Sequence, residues 1–309
     1  MSLNLSFIRM KEILKKEFIV IPLIVVLSVG IGMSTGFLLK KKLSPEIIDY
    51  TNIKIENYYE DTEKVMKKYS SYTGNDVFKD FTVSELINIA QYKYISSPIS
   101  YSYGVGIGDA KIVKQSIYSY QIRNENEFFE ESLSSSTFVK VAKRMYQTGD
   151  EVREYNGQLV SENQGNFDDN FSSFTKEDYS ERMGKSLDKV FIYIISNQTI
   201  LSSSIENDGN YNITVELDKD ISVYHYVHQM KTISSLKDYP IFQYVKLTYT
   251  LDKDLNIISL RTNEKYTATT QSSISSDVEC SILYHYFANQ KIDIPELNQK
   301  LTYGGENND

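Results

Sequence analysis

The sequence predicts an α+β fold, in which a single N-terminal transmembrane helix precedes a mostly antiparallel, curved sheet with three or four helices. Three observations support this prediction. The 22 residues from Phe18 to Leu39 contain no charged side chain. Several segments after Ile99 alternate apolar and polar residues with a period of two, which is typical of strands with one buried face. The segment from Thr82 to Tyr94 instead carries its apolar residues at helical spacing.

The uncharged segment is long enough to cross a membrane. A helix of this length reaches about 33 Å, and the hydrocarbon core of a bilayer is roughly 30 Å thick. The segment is longer than the apolar region of a signal peptide and has no small-x-small cleavage site. A lipoprotein anchor needs a cysteine directly after the apolar run, and the single cysteine of the chain is Cys280. We therefore expect an uncleaved, single-pass anchor.

The charge distribution predicts the orientation of the anchor. Residues 1–42 carry seven basic and two acidic side chains, whereas residues 43–309 carry 26 basic and 39 acidic ones, a net charge of −13. This charge disfavours binding of nucleic acid and of anionic lipid surfaces. Because lysine and arginine near a span favour the cytoplasmic side, we expect the N-terminus inside and the C-terminal domain outside. The predicted parts are a cytoplasmic tail (1–17), the transmembrane helix (18–39), a membrane-proximal helix (43–72), an extracytoplasmic α+β domain (73–298) and a flexible tail (299–309).

The composition indicates a bacterial envelope protein. One cysteine in 309 residues excludes an intrachain disulfide framework and a thiolate metal cage. The chain has 25 tyrosines, no tryptophan and much serine, asparagine, isoleucine and lysine. That bias is typical of AT-rich, Gram-positive bacteria. The predicted location is the cell membrane, with the large domain extracellular.

Local signals predict four helical segments. Ser44 and Pro45 form a helix start, with a capping residue followed by proline at the first helical position. Thr82 and Glu85 have the spacing of a capping box, and the helix after them carries an apolar stripe. The other two predicted helices cover residues 175–183 and 222–236.

The strand predictions follow from alternation and from turn residues. Thr148-Gly149-Asp150 predicts a hairpin between two strands, Asn156-Gly157 predicts a further turn, and residues 162–174 are predicted to form a polar loop. The predicted strands are 99–107, 112–123, 138–146, 151–155, 158–160, 190–195, 211–217, 244–251, 257–267 and 278–287.

The order of these elements resembles a known family. Long antiparallel meanders, a helix at 222–236 and a wide hairpin at 244–267 with an acidic turn are similar to the LolA-like and LppX-like lipoprotein or lipid carriers of bacterial envelopes. The resemblance covers about residues 138–287 and has no diagnostic motif. It implies a sheet that wraps an apolar cavity lined by helices, and it offers no catalytic residue to carry over. An uncleaved anchor differs from a freely diffusing carrier of that family.

The histidines and the cysteine predict no metal or catalytic site. His225 and His228 share one face of the predicted helix and would need a third ligand to hold zinc. Hydrogen-bonded helix histidines are the commoner case. Cys280 and His285 stand five residues apart in a predicted strand, so their side chains are expected on opposite faces of the sheet. No thiol nucleophile is therefore predicted.

Two further motifs resemble known binding loops but lack residues that those loops require. The glycines that begin at Gly104 resemble a phosphate loop, but Asp109 replaces the third glycine of the fingerprint, and a bulged or flexible strand end is expected instead. The turn after Asp252 begins like a calcium loop, yet Ile257 and Asn263 stand where glycine and glutamate are required. We expect a hairpin turn there. No catalytic, cofactor-binding or metal-ligating residue is predicted, and no cofactor.

The sequence favours three functions in order. The first is a non-enzymatic, membrane-anchored binding protein whose ligand is lipophilic, a lipoprotein or another envelope protein. The second is a structural subunit of an envelope machine for secretion, conjugation or sporulation. The third is a cell-wall hydrolase, for which the many acidic residues offer pairs without a recognisable setting. Ser28, Gly32 and Gly36 lie at four-residue intervals in the span, so a homodimer through this small-residue face is a further prediction.

Overall fold

The computed structural model describes residues 49–50, 53–111, 113–137, 140–161, 163–183, 187, 190–234, 236–271 and 273–301. These residues form one curved, antiparallel sheet of 11 strands, together with several helices. The predicted α+β class is confirmed at this level. The predicted transmembrane segment lies outside the described residues, and none of the described helices combines the length and the apolar character that a membrane crossing needs.

The described α-helices and strands have the following bounds. The helices are α1 (Thr62–Ser70), α2 (Val77–Asp80), α3 (Val83–Ile95), α4 (Lys176–Met183) and α5 (Tyr224–Ile233). The strands are β1 (Ile99–Asp109), β2 (Lys114–Asn124), β3 (Glu127–Ser136), β4 (Lys140–Thr148), β5 (Glu151–Ser161), β6 (Gln164–Thr175), β7 (Ile200–Asn207), β8 (Tyr211–Leu217), β9 (Ile241–Leu251), β10 (Ile257–Thr269) and β11 (Ser275–Ala288).

The sheet consists of two meanders joined at its centre. The strand order is β6-β5-β4-β3-β2-β1-β11-β10-β9-β8-β7, so β1 and β11 pair in the middle and β6 and β7 form the edges. The chain moves outward from β1 to β6, returns through α4 to the opposite edge, and moves inward from β7 to β11. Consecutive strands are neighbours throughout both meanders. Most of the connections are short, but the one between β8 and β9 contains α5.

The two faces of the sheet are covered by different parts of the chain. Alternation along the strands puts Thr262 and Tyr284 on one face, which we call the inner face, and Tyr103 and His285 on the other, the outer face. Helices α3 and α5 pack on the inner face of β8–β11 and bury the largest hydrophobic cluster. Helix α4 covers the inner face of β3–β5 in a second cluster.

Helix α3 follows the predicted capping. The Thr82 side chain accepts a hydrogen bond from the Glu85 backbone, and the Glu85 side chain accepts one from the Thr82 backbone. Leu86, Ile87 and Ala90 follow at helical spacing and are fully buried. Their burial explains why α3 docks on the sheet rather than standing in solvent.

The predicted membrane-proximal helix differs from the structure in its described part. There the chain forms a 3-10 turn (Ile55–Tyr58) and then the separate helix α1, whose first turn is capped by the Asp61 carboxylate. Helix α1 packs on α3, with Val65 buried and Lys68 paired with Glu85 at 2.7 Å. This segment therefore belongs to the folded domain rather than to an isolated stalk.

The outer face of β1–β6 is covered by the end of the described chain. Leu301 is buried against Tyr120, Ile122 and Phe129 on the outer face. The buried Arg144 guanidinium lies 2.5 Å from Glu131 and donates to the carbonyl oxygens of residues 296, 297 and 299 at 2.6–2.7 Å. Residues 299–301 are thus packed, although they were predicted to begin a flexible tail. Residues 302–309 lie outside the described part.

Three predictions, a turn, a loop and a strand, were wrong. The predicted turn at Asn156-Gly157 is a bulge inside β5, and the predicted polar loop at 162–174 is mostly strand β6. Residues of an edge strand with two exposed faces need no alternation, so β6 has no period-two signal. The buried segment 190–195 was predicted as a strand, but it crosses over the inner face without regular secondary structure. We call it the strap.

Candidate binding site on the inner face

A cavity of about 80 Å³ lies between the inner face of the sheet and the layer that covers it. Its floor comes from β1, β2, β9, β10 and β11, and its roof comes from the strap and α5. We call it the inner cavity. Its lining includes Ser119, Thr262, Tyr284 and Tyr286 in the floor and Phe191, Tyr193, Tyr226 and Gln229 in the roof.

Glycines in β1 allow the floor to form. A Cβ atom on Gly104 would lie 2.6 Å from the Tyr284 ring and 2.7 Å from Ser119 Oγ. A Cβ atom on Gly106 would lie 2.5 Å from both Ile282 Cγ1 and a backbone oxygen of β11. The side chains of β11 therefore lie directly over β1. Strand β1 pairs regularly with both neighbours, so the expected bulged strand end at these glycines was wrong.

The strap is held in place by packing and by a few hydrogen bonds. The Phe191 ring lies 6.0 Å from that of Tyr94 and 5.4 Å from that of Tyr286, measured between centroids. The Ile194 N–H donates to the Ser222 carbonyl at 2.9 Å. These contacts place the strap across the cavity without making it part of the sheet.

Two polar side chains that line the cavity have no hydrogen-bond partner among the described residues. They are Gln229, through Nε2, and Thr262, through Oγ1. Only 3 % of Gln229 and 2 % of Thr262 is exposed, so bulk water does not satisfy them. A buried polar group without a partner costs about 1–3 kcal/mol. Both residues line the inner cavity, one in the roof and one in the floor.

A buried carboxyl group stands behind the cavity wall. Glu264 is completely buried on the inner face of β10. The Tyr193 hydroxyl donates to its Oε2 at 3.0 Å and the Tyr226 hydroxyl to its Oε1 at 3.2 Å. Burial raises the pKa of Glu264 to about 7, because desolvation outweighs the two hydrogen bonds that favour the carboxylate. The strap and α5 are therefore joined to the sheet through one titratable group.

A polar band extends from the cavity toward α4. Gln121, at the cavity floor, donates to Glu130 Oε2 at 2.9 Å. Lys143 and Glu154 form a buried ion pair at 2.5 Å, and Arg182 of α4 lies 3.4 Å from the same carboxylate. Burial lowers the pKa of Lys143, although Glu154 opposes this shift. Polar and charged side chains thus lie on the inner face between the cavity and α4.

A second depression lies on the other side of the strap. This outer cleft has a volume of about 180 Å³ and is lined in part by Tyr59, Asn88 and His225. The Tyr59 hydroxyl and His225 Nε2 are 2.7 Å apart. Asn88 donates to the Ile195 carbonyl at 2.9 Å. Because Tyr193 lines both the outer cleft and the inner cavity, the strap is the partition between them.

The three histidines do not come together. His225 contacts Tyr59, and His228 Nδ1 lies 2.7 Å from the Tyr224 carbonyl oxygen. His285 lies on the outer face, with its ring stacked 4.8 Å from that of Tyr103. Within the described part of the chain, no group of three or more histidine, cysteine, aspartate or glutamate residues is placed to hold a metal ion.

The predicted opposite faces of Cys280 and His285 and the predicted hairpin turn after Asp252 are confirmed. Cys280 pairs with Glu264 in the β10–β11 register on the inner face, whereas His285 lies on the outer face. The acidic turn is a hairpin turn, in which one carboxylate oxygen of Asp252 accepts from the backbone N–H groups of Asp254 and Asn256 at 2.8 and 2.9 Å.

The inner cavity itself was not predicted as a site. One signal for it was present in the sequence, because Thr262 and Glu264 are polar residues at alternate positions of a strand whose other inner-face residues, Leu260 and Tyr266, are apolar or aromatic. Gln229 gave no such signal, since its burial depends on how α5 docks. The tertiary structure brings these residues together from different elements.

The known proteins found to resemble this chain are distant from it. No protein-family model matches the chain, and a search of the curated proteins gives no match. Among solved structures, a DUF1329 family protein from Desulfovibrio piger is 12 % identical, with 71 % of this chain and 96 % of that chain covered and a TM-score of 0.25. An N-terminal dehydratase from the difficidin assembly line is 9 % identical over 66 % of this chain and 82 % of that one, with a TM-score of 0.12. At these scores the likenesses are distant, and the resemblance to LolA-like carriers stays a prediction.

Proposed function

We propose that the chain is a non-enzymatic, membrane-anchored binding protein of a bacterial, Gram-positive envelope. In this proposal the 22 residues from Phe18 to Leu39 anchor it, and the domain outside the membrane holds one end of a lipophilic ligand or lipoprotein in the inner cavity. The observation that supports it most is a cavity on the covered face of a curved sheet, lined by aromatic rings and by two residues with unpartnered polar groups.

The size of the cavity limits what it holds. Pockets for drug-sized ligands measure about 300–1,000 Å³, whereas the inner cavity measures about 80 Å³. It therefore takes the end of a ligand rather than a whole lipid. The remainder would reach the outer cleft by displacing the strap, which has no strand partner to lose. Loops that cover ligands move in this way in many proteins.

Native mass spectrometry of the full-length chain, extracted from bacterial membranes into amphipol, tests the proposal. We expect bound species with the mass of a lipid or an acylated peptide, released when the protein is denatured. A clean ligand-free mass from several membrane preparations would contradict the proposal.

A pair of matched variants makes this test specific for the cavity. Ser119→Leu places a larger side chain in the cavity floor and is expected to remove the bound species. Ser116→Leu makes the same change on the outer face of the same strand, because successive residues of β2 point to opposite faces. We expect Ser116→Leu to keep the ligand. Equal retention by both variants would show that the ligand lies elsewhere.

A structural subunit of an envelope machine is the second candidate, and one observation favours it. Strand β7 is an edge of the sheet, and seven of its eight residues are exposed, with Leu201 63 % exposed. It contains no lysine or proline, the residues that commonly prevent edge pairing. A partner strand added to β7 would continue the sheet. Stable complexes in detergent that are lost on Ser203→Pro, without loss of the cavity ligand, would favour this function.

A further inference from the structure

We infer that the inner cavity receives an uncharged oxygen-bearing group, a hydroxyl or a carbonyl, at one end of a lipophilic ligand, and that Gln229 and Thr262 hold this oxygen. The inference rests on the proposed binding function and adds the chemical class of the ligand.

Each of the two unpartnered atoms is complementary to an oxygen. Gln229 Nε2 is a hydrogen-bond donor in the roof, on α5, and Thr262 Oγ1 is a donor and acceptor in the floor, on β10. A carbonyl oxygen accepts from both groups, and a hydroxyl accepts from Gln229 while it donates to Thr262. Each arrangement satisfies buried groups that the described chain leaves without partners.

The charge of the surroundings favours a neutral group. None of the residues that line the cavity is charged, and an ionised ligand group in such a place would lose its hydration without a counter-ion. An anion would also lie near Glu264, whose carboxyl group is bound by the wall residues Tyr193 and Tyr226. A cation would face the N–H donor of Gln229. A neutral oxygen carries no net charge, so it avoids both the lost ionic hydration and the unfavourable contacts with these neighbours.

The volume agrees with a small end group. One water needs about 10–15 Å³ of such volume, so 80 Å³ holds only a few heavy atoms. A hydroxyl or ester carbonyl with its first carbons fits this space. A phosphate or sugar head group with several polar substituents is too large and has too few partners there.

The aromatic walls suit the carbons next to the oxygen. Phe191, Tyr284 and Tyr286 line the cavity beside the two polar atoms. Buried aromatic rings contribute apolar area to a contact. The cavity therefore combines one polar position with an apolar wall, which is the pattern of an alcohol or ester end on a hydrocarbon chain.

A series of probes with one chain length tests the inference. The full-length chain in amphipol is titrated, near pH 7.5, with decanol, decyl acetate, decanoate, decyltrimethylammonium and decane, and binding is measured by native mass spectrometry. We expect decanol or decyl acetate to bind most tightly. Thr262→Val and Gln229→Met each remove the polar group at similar volume, and we expect about a tenfold weaker affinity for these two probes, the usual effect of one lost hydrogen bond. Decane binding should not change.

Thermal unfolding separates this role from a purely structural one. Without ligand, Thr262→Val and Gln229→Met are expected to raise the Tm, because each removes a buried polar group that has no partner. Tyr266→Phe is the control, since its buried hydroxyl also has no partner among the described residues but does not line the cavity. We expect Tyr266→Phe to raise the Tm and to leave decanol binding unchanged.

The outcomes distinguish the inference from the proposed function. Tightest binding of decanoate, decyltrimethylammonium or decane, or wild-type decanol affinity in both cavity variants, would overturn the inference and leave a lipophilic binding protein in place. A lack of binding by every probe, together with no lipid on the extracted protein, would overturn the proposed function as well.

Discussion

At the scale of single residues, Glu264 makes the inner face sensitive to pH near neutrality. Its carboxyl group is completely buried, and burial raises its pKa to about 7 from an ordinary value of 4.5. The folded chain therefore binds this proton more tightly than the unfolded chain does. The resulting stabilisation is complete below about pH 4.5 and is lost as the pH rises through 7.

The first prediction concerns the Glu264→Gln variant. Glutamine cannot ionise, so the variant should lack this pH dependence. The difference in the free energy of unfolding, variant minus wild type, is expected to be larger by roughly 2 kcal/mol at about pH 8 than at about pH 5. The variant is thus relatively more stable at the higher pH. Urea unfolding followed by far-UV circular dichroism at both pH values measures the difference.

The control for this prediction is Glu216→Gln, which changes an exposed glutamate on strand β8. We expect its stability to follow the wild-type pH dependence. Parallel pH profiles for Glu264→Gln and the wild type would contradict the assignment of a raised pKa to Glu264.

At the scale of elements, the C-terminal segment shows how one side chain attaches a stretch of chain without regular secondary structure. The Arg144 guanidinium pairs with Glu131 and donates to three carbonyl oxygens of residues 296–299. A planar group with five donors suits this arrangement, whereas a lysine ammonium does not reach all four partners. The segment in turn shields Phe129 and Ile122 on the outer face.

The second prediction concerns the Arg144→Lys variant. Buried partners lose hydrogen bonds, so we expect a loss of about 2–4 kcal/mol in the free energy of unfolding. Hydrogen exchange of residues 292–301 should become much faster. Arg153→Lys changes an exposed arginine paired with Glu151 and should cost less than about 1 kcal/mol. Equal effects of the two changes would rule out the attachment described here.

The third prediction concerns strand β1. Gly106→Ala adds a Cβ atom 2.5 Å from Ile282 and from a backbone oxygen, so neighbouring strands must shift. We expect a destabilisation of about 1–3 kcal/mol, typical of overpacking. Val105→Ala, at an exposed outer-face position of the same strand, should change stability by far less. Urea unfolding of both variants provides the measurement, and an unaffected Gly106→Ala variant would contradict the close approach of β11.

At the scale of the whole molecule, the proposed anchor limits how far the domain with the inner cavity lies from the membrane. Tyr50 is buried against Tyr224 and Tyr239 of the domain, and it follows the end of the predicted span at Leu39 by only 11 residues. A chain of that length extends at most about 40 Å. In the proposal, the domain therefore stays near the membrane surface, where a lipophilic ligand is available.

The fourth prediction tests this topology. In a bacterial host, the full-length chain should remain in the membrane fraction after alkaline carbonate extraction. Protease added outside intact, wall-stripped cells should digest the domain, whereas a cytoplasmic marker protein stays intact. Protection of the domain in these cells, with digestion only after lysis, would reverse the predicted orientation.

The fifth prediction concerns the small-residue face of the span. Replacing Gly32 and Gly36 together by leucine should abolish a dimer formed through that face, because close helix approach needs small residues. Crosslinking of the full-length chain in native membranes measures it. Val29→Leu in the same span is the control, and a dimer that survives the double change would place the contact elsewhere.

The sequence predicted those elements whose two faces meet different surroundings. Strands β8 and β9 alternate because only their inner faces are buried. Helix α3 was predicted from its capping box and its apolar stripe. Strand β3 was missed because both of its faces are buried, the inner under α4 and the outer under the C-terminal segment. Strand β7 was missed because nearly all of it is exposed. Equal surroundings on both faces remove the period-two signal.

The sequence by itself determined the α+β class, the capped helix, the central hairpins and the prediction of an anchor, since each depends on residues close together in the chain. Only the tertiary structure decided that Gln229 of α5, Thr262 of β10 and the strap enclose one cavity, and that Glu264 joins the strap to the sheet. Burial and long-range contacts are properties of the packed chain, so no local pattern specifies them. The strap illustrates this, because its apolar residues are equally compatible with a buried strand and with an irregular cover over one.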